Sequence, residues 1–207
     1  IQAWQRRAFE FTHMNPKDVE QKKRRASSYL TLWRKVFKAD SANLRFVFIS
    51  ETLRREATDD VGVAPPPEQT SVIHNYIDGG IFRYLPKPAV QRLKILSIRP
   101  YSAATYANDL SVKAILALSE KVFFNDIQFN IVGSGEFFDD ITKPLLGMSN
   151  VILYKGFLRH REIADLHKNY GVFLVPTRMD TQGVSRDEAM ASGLVPVTSA
   201  VAAVPEF

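Results

Sequence analysis

The sequence predicts an α/β protein: a doubly wound parallel sheet over residues 93–207, preceded by part of a second domain. Three observations predict it. From residue 94 onward short apolar runs alternate with amphipathic stretches of helical period. Residues before 76 lack that alternation and carry a basic helical stretch and a proline-rich connector instead. With 207 residues, of which 45% are hydrophobic, the chain is long enough to bury a real core in one or two domains.

Taken in order, residues 17–38, "KDVEQKKRRASSYLTLWRKVFK", read as a basic helix whose Tyr29, Leu32, Trp33, Val36 and Phe37 recur at helical spacing. A strand, "LRFVFIS", follows, then a helix capped by Ser50 and stopped near Gly62. "APPPEQ" is a stiff, solvated connector. "TSVIHNYIDGGIFRYLPKP" supplies a short strand and a turn-rich link. The expected division is therefore 1–75, a linker at 76–92, and 93–207, with no internal repeat.

The second part reads strand, helix, strand throughout: "KILSI", "NDLSVKAILALSEKVF", "QFNIVG", "FFDDITKPLL", "VILYKGF", "EIADLHKNY", "VFLVP", "SRDEAMAS" and "VPVTS". Short strands separated by helices are successive βαβ units, and these give a Rossmann-like parallel sheet. Ligands of such sheets sit outside the carboxyl ends of the strands, so the loops after Ile98, Val132, Tyr154 and Pro176 are the places to look.

Composition excludes several classes. No apolar run reaches the roughly 18 residues of a membrane span, and no signal-peptide pattern opens the chain. The absence of cysteine removes disulfide frameworks and thiolate metal sites, and fits a reducing cytosol. His74, His160 and His167 lack partners at metal-ligand spacing. The formal net charge of +5 resides in the first half, where Lys and Arg outnumber Asp and Glu; residues 93–207 are close to balanced. The first residue is not methionine and "VTSAVAAVPEF" breaks off just after a strand, so the expectation is a piece of a longer enzyme.

The stretch "PTRMDTQGVSRDEAMASG", residues 176–193, concentrates the chemistry. It leaves a strand, exposes Asp180, turns on Gly183 and starts a helix carrying Glu188. A helix N-terminus behind a glycine offers free N–H groups and a positive dipole end, hence an anion site fit for phosphate. The acids then flank that site and accept hydrogen bonds from neutral hydroxyls, such as those of sugars. The competing reading of "SRDE" is a capping box, with Ser185 as the cap and Glu188 reaching back to it. "GSGEFF" lacks the third glycine of a dinucleotide fingerprint and follows an internal strand, which argues against a nicotinamide cofactor.

"DTQGVSRDEAMASGLVPVTS" resembles the donor-site motif of the glycosyltransferase family 4 group, the group 1 glycosyltransferases of GT-B fold, in which two acids with seven residues between them precede Ala-Met-Ala-x-Gly and a strand. "VFIS", "SVIHNYID", "LSIRP", "IVGSGE" and "VILYKGFL" follow that family's order, so the resemblance spans roughly residues 40–207. It implies the donor-binding C-terminal half of the GT-B fold plus part of the N-terminal acceptor domain. It also implies that Glu188 binds ribose hydroxyls and that Asp180, one methylene shorter than the family's glutamate, contacts the transferred sugar. By the same resemblance, main-chain N–H groups around Gly183, Val184 and Ser185 hold the diphosphate, Arg99 neutralises it, Thr181 and Gln182 belong to the nucleotide-sugar site, and Phe157 and Leu158 lie where the base is held. Gly133 and Gly135 let backbone approach the ligand. The family's lysine after the arginine is absent from "RPYSAATYAND", leaving Arg178 or Arg159 to assist, and Tyr76 replaces the linker glycine. Phe157 is expected to pack beneath its loop.

The expected function is transfer of a sugar from a nucleotide-diphosphate sugar to a glycan or lipid-linked hydroxyl acceptor. Retention of configuration, metal independence, no cofactor, a cytoplasmic location and a role in cell-surface polysaccharide or lipopolysaccharide assembly are implied by the resemblance alone. Helix 17–38 is either a solvated face or a contact with anionic membrane through its basic residues beside Trp33 and Phe37. No nucleic-acid reading motif accompanies it. Two alternatives stay open: a nucleotide-sugar epimerase of the same architecture, and a non-catalytic nucleotide-sugar or membrane-surface module.

Overall fold

The computed structural model describes residues 6–12, 14–39, 41 and 43–207. The chain divides into two compact units. Unit 1 comprises Ile1–Asn75, Met179–Gln182 and Val201–Phe207; unit 2 comprises Tyr76–Arg178 and Gly183–Ala200.

In unit 1, helix α1 (Pro16–Phe37) starts where Pro16 occupies the first turn and the Asn15 side chain accepts the Asp18 N–H at 2.9 Å. Strand β1 (Phe46–Phe48) pairs in parallel with β2 (Thr70–Val72), and helix α2 (Glu51–Val61) connects them before the proline-rich turn. As expected, the Ser50 hydroxyl caps α2 by accepting the Leu53 N–H, and Gly62 ends it in the left-handed region at φ 75°. Phe37, Phe46, Phe48 and Val61 form the core. The apolar spacing of α1 is only partly spent on that core. Tyr29, Leu32 and Trp33 remain exposed, and Tyr29 and Trp33 border an apolar cavity of about 800 Å³ lined also by Leu30, Phe46, Phe48 and Leu53.

Unit 2 is a five-stranded, wholly parallel sheet, with strands β3 (Lys94–Pro100), β4 (Gln128–Ser134), β5 (Val151–Lys155), β6 (Val172–Val175) and β7 (Val195–Thr198) in the order β5-β4-β3-β6-β7. Helices α3 (Asn108–Ser119), α4 (Phe138–Thr142), α5 (His160–His167) and α6 (Val184–Ala191) make the crossovers. Adjacent residues on a strand point to opposite faces, and the two cores show it. Ile95 and Ile131 pack with Val112 and Ile115 of α3 and Phe138 of α4, while their neighbours Leu96 and Val132 pack with Phe173, Ala189 of α6 and Leu166 of α5. Burial on both faces is why the strands read as apolar runs. The winding reverses between β3 and β6, the place where an open sheet splays its loops apart at the carboxyl ends.

Candidate functional site

In unit 2 the reversal point is built from the end of β3, the end of β4 and the start of α6. Arg99 is the penultimate residue of β3 and pairs in register with Gly133. Its side chain is 7% exposed, donates from Nη1 to the Ser185 hydroxyl at 3.3 Å, and stacks its guanidinium 5.0 Å from the Tyr106 ring centre. Two residues 86 positions apart, Arg99 and Ser185, are thus brought together at the first turn of α6.

Helix α6 begins at Gly183, whose φ of 94° is left-handed and whose carbonyl accepts the Arg186 N–H at 2.9 Å. Ser185 therefore lies inside the first turn, and the capping-box reading is corrected: the cap position is a glycine, so no side chain caps this end. The first-turn N–H groups of Val184 and Ser185 form the positive end of the helix dipole, beside the Arg99 guanidinium. Buried Arg186 is neutralised by its neighbour Asp187, at 2.6 Å. Glu188 lies one turn further on and is half-buried. Burial pushes its carboxyl above the usual glutamate range; His160 pulls it back and Asp187 pushes it further up.

The close-approach glycines are occupied by protein. A Cβ at Gly133 would lie 2.1 Å from the Arg99 carbonyl oxygen and 2.6 Å from the Tyr101 ring. At Gly135, with φ 141°, a Cβ would lie 2.4 Å from the Tyr101 carbonyl. Both glycines let the buried Tyr101 segment cross the end of β4, where the Tyr101 N–H donates to Ser134 at 2.7 Å. The loop after β5 is tied to the same strand end, its Gly156 N–H donating to the Gly133 carbonyl at 2.9 Å. Leu158 packs on the α5–α6 core, but Phe157 is 80% exposed, which corrects the expectation that it packs beneath the loop.

Of the cations proposed to assist Arg99, Arg178 is engaged elsewhere in unit 2. It makes a two-pronged pair with Asp109 at 2.8 and 2.7 Å and donates to the Ala104 carbonyl. The pair raises the arginine and holds Asp109 below the usual carboxylate range, chiefly through the hydrogen bond. It pins the loop after β6 to α3. Sequence reasoning missed Asp109 and Tyr106; an aromatic in the loop after "LSIRP" and an acid in the first turn of the helix that follows were the available signal.

His167, which the sequence reading considered only as a metal ligand and set aside, is 1% exposed, with Nδ1 3.0 Å from the Ser192 hydroxyl. Ser192 spends its proton on the Glu188 carbonyl at 3.0 Å, so Nδ1 is the donor to it. Nε2 has no hydrogen-bond partner among the described residues. Burial, then the charge of Lys87, lowers this imidazole to about 4.

Asp180, Thr181 and Gln182 belong to unit 1. The Asp180 Oδ1 accepts the Gln182 N–H at 3.2 Å, and its carbonyl accepts the Ala203 N–H at 3.2 Å. Gln182 is buried and pairs with Asn75 as a strand would, accepting its N–H at 2.8 Å and donating to its carbonyl at 3.0 Å. Among the described residues no cluster of three or more metal-ligating side chains occurs.

Comparison with known proteins gives the context. No curated protein sequence matches the chain. Among solved structures, TarM of S. aureus, as a mutant in complex with fondaparinux, alpha-GlcNAc-glycerol and UDP, aligns at 19% identity over 74% of this chain and 29% of its own, with a TM-score of 0.58. WaaG, a glycosyltransferase involved in lipopolysaccharide biosynthesis, aligns at 17% identity over 75% of this chain and 44% of its own, TM-score 0.54. A trehalose-6-phosphate synthase, studied for glycosyl transfer with retention, aligns at 16% identity over 77% and 47%, TM-score 0.60. The chain spans less than half the length of each, and the likeness establishes the GT-B fold. The family profile described as "Glycosyl transferases group 1" matches residues 94–207, more than half of the chain. This chain belongs to the group 1 glycosyl transferases.

Proposed function

We propose that this chain carries the nucleotide-sugar site of a retaining glycosyltransferase that passes a sugar from a nucleotide-diphosphate donor to a glycan or lipid-linked hydroxyl in cell-surface polysaccharide or lipopolysaccharide assembly. The observation that supports it most is Arg99 set against Ser185 at a helix start that no side chain caps. As the glycosidic bond breaks, negative charge grows on the departing diphosphate. A guanidinium fork and the first-turn amides of α6 meet that charge, the role a divalent ion plays in other sites. Glu188 accepts hydrogen bonds from ribose hydroxyls, main-chain groups of residues 156–158 hold the base, and Asp180 accepts from hydroxyls of the sugar. The UDP in the TarM complex, the lipopolysaccharide role of WaaG and the retention named for the trehalose-6-phosphate synthase agree with this reading.

The test is calorimetric titration with UDP, GDP and ADP, with and without EDTA, on the wild type and Glu188→Ala. A hydrogen bond to a charged acceptor contributes roughly 1.5–3 kcal/mol, so the substitution should weaken the preferred nucleotide about 10- to 100-fold. Equal affinity in the two proteins would overturn the ribose assignment. Acidification should mimic the substitution at a higher pH than an ordinary glutamate would require, because burial raises this carboxyl.

A membrane contact through α1 belongs to the same proposal. Phe37, expected at that surface beside Trp33, is instead 4% exposed in the core of unit 1, while exposed Tyr29, Leu32 and Trp33 share the helix with Lys22, Arg25 and Lys35, a composition suited to the interface of an anionic bilayer. No helix among the described residues is long and apolar enough to cross a membrane. Binding to vesicles containing phosphatidylglycerol should fall about five-fold for each cation replaced by Ala, at about 1 kcal/mol per charge. Equal binding to neutral vesicles would refute it.

A further inference from the structure

Helix α2 has an N-terminus satisfied from two directions. Ser50 serves the Leu53 N–H with its hydroxyl and the Arg54 N–H with its carbonyl, as a local cap does. The two remaining amides are served from 155 and 154 residues away: Glu206 accepts the Glu51 N–H at 2.6 Å with one oxygen and the Thr52 N–H at 2.9 Å with the other. The neighbouring residues reinforce this seat. The Phe207 ring meets His74 edge to face at 4.7 Å, and His74 Nδ1 lies 2.9 Å from the Ile49 carbonyl. Partial desolvation works against the Glu206 carboxylate, but the Thr52 and Glu51 amides, the Thr52 hydroxyl and His74 outweigh it and hold the group below the usual range.

Three residues before Glu206, the Ala203 N–H donates to the Asp180 carbonyl. Ala203 itself is buried, so a segment fixed by Glu206 presents that N–H in one place. On the other side of Asp180, Gln182 is locked to both main-chain groups of Asn75, and its own N–H donates to the Asp180 carboxylate. Asp180 is therefore gripped at its carbonyl and at Oδ1, each grip anchored on the 1–75 part of unit 1.

We propose that Glu206 and Gln182 are positioning residues that set the Asp180 carboxylate for the sugar of the donor, Glu206 by clamping residues 201–207 onto the N-terminus of α2 and Gln182 by pairing with Asn75. The inference rests on the assignment of Asp180 to the sugar. A helix cap with no other purpose would affect stability alone; this clamp also controls how strongly the site distinguishes a sugar nucleotide from the bare nucleotide.

The experiment has two arms on the 207-residue chain. Amide exchange is followed at Glu51, Thr52 and Ala203 in the wild type, Glu206→Gln and Glu206→Ala. Affinity is measured for whichever of UDP, GDP and ADP binds and for its glucose conjugate, adding Asp180→Ala and the double variant. Glu206→Ala should speed exchange at all three amides about ten-fold and reduce the preference for the conjugate about three- to ten-fold, with affinity for the bare nucleotide unchanged. Glu206→Gln, which keeps one accepting oxygen, should fall between. In the Asp180→Ala background the Glu206 change should cost the preference nothing further, since the two act as one unit. Unchanged exchange at Ala203 overturns the clamp, and faster exchange with the preference intact overturns its positioning role. If no nucleotide binds the wild type, the functional reading fails, while the exchange arm still decides whether Glu206 holds the Asp180 partner.

Discussion

Mild acid should weaken unit 2 through His167. His167 is enclosed by the Phe82 and Phe173 rings, each 5.7 Å away, with Lys87 donating to its carbonyl at 2.6 Å. In the unfolded chain the imidazole titrates near 6.5, and in the folded chain near 4. Its folded value is depressed, so between these two pH values the unfolded state holds a proton that the folded state refuses, and stability falls as pH drops. Above pH 6.5 the two states are alike and nothing is lost; below about 4 the loss is complete. At 1.36 kcal/mol for each pH unit, the interval corresponds to about 3 kcal/mol, a large share of the 5–15 kcal/mol typical of a domain. Urea unfolding followed by far-ultraviolet circular dichroism at pH 7.5, 6, 5 and 4 measures it, with His167→Gln as the reference that cannot titrate. The wild type should lose about 3 kcal/mol more than the variant across that range. Parallel curves, or an NMR titration placing His167 near 6.5, would refute the reasoning.

Two further substitutions test the packing around the site. Gly133→Ala places a methyl 2.1 Å from the Arg99 carbonyl oxygen and 2.6 Å from the Tyr101 ring, so the backbone where β3 and β4 pair must shift to admit it. It should cost about 3 kcal/mol or more and weaken nucleotide binding with it, read by denaturation and calorimetry. Tyr101→Phe should be neutral or stabilise by about 1 kcal/mol, because the hydroxyl is buried without a hydrogen-bond partner among the described residues; a loss of stability in urea would show that it has one.

The parallel sheet was legible because its physics is local and repetitive. Ile95 and Leu96, or Ile131 and Val132, face opposite cores, so each strand is written as a continuous apolar run. The ends of α2 were legible for the same reason, as Ser50 and Gly62 act on their own neighbours. What escaped depends on conformation or on single distant pairs. "SRDE" satisfies the spelling of a capping box, but Gly183 already begins the helix and leaves Ser185 in the first turn, free to meet Arg99. Nothing in "GFL" tells that Phe157 points outward. Arg178 could be nominated as a phosphate ligand because its partner Asp109 lies 69 residues away, in the first turn of α3. Likewise, no periodicity marks Gln182 as the partner of Asn75 or Glu206 as the partner of Glu51; each pairing is written in one polar residue.

The long reach of Glu206 has a consequence for how the molecule comes into being. As the chain leaves the ribosome, α2 is among the early elements, but the carboxylate that satisfies its first two amides is 155 and 154 residues behind. All five strands of the unit 2 sheet, through Thr198, precede that carboxylate in the chain. Loop closure grows only as the logarithm of length, so the distance costs little at equilibrium. It weighs far more on the order of events, since distant contacts form late. The N-terminus of α2 should therefore become rigid late, and a chain stopped anywhere before residue 206 should carry an α2 that frays at its start.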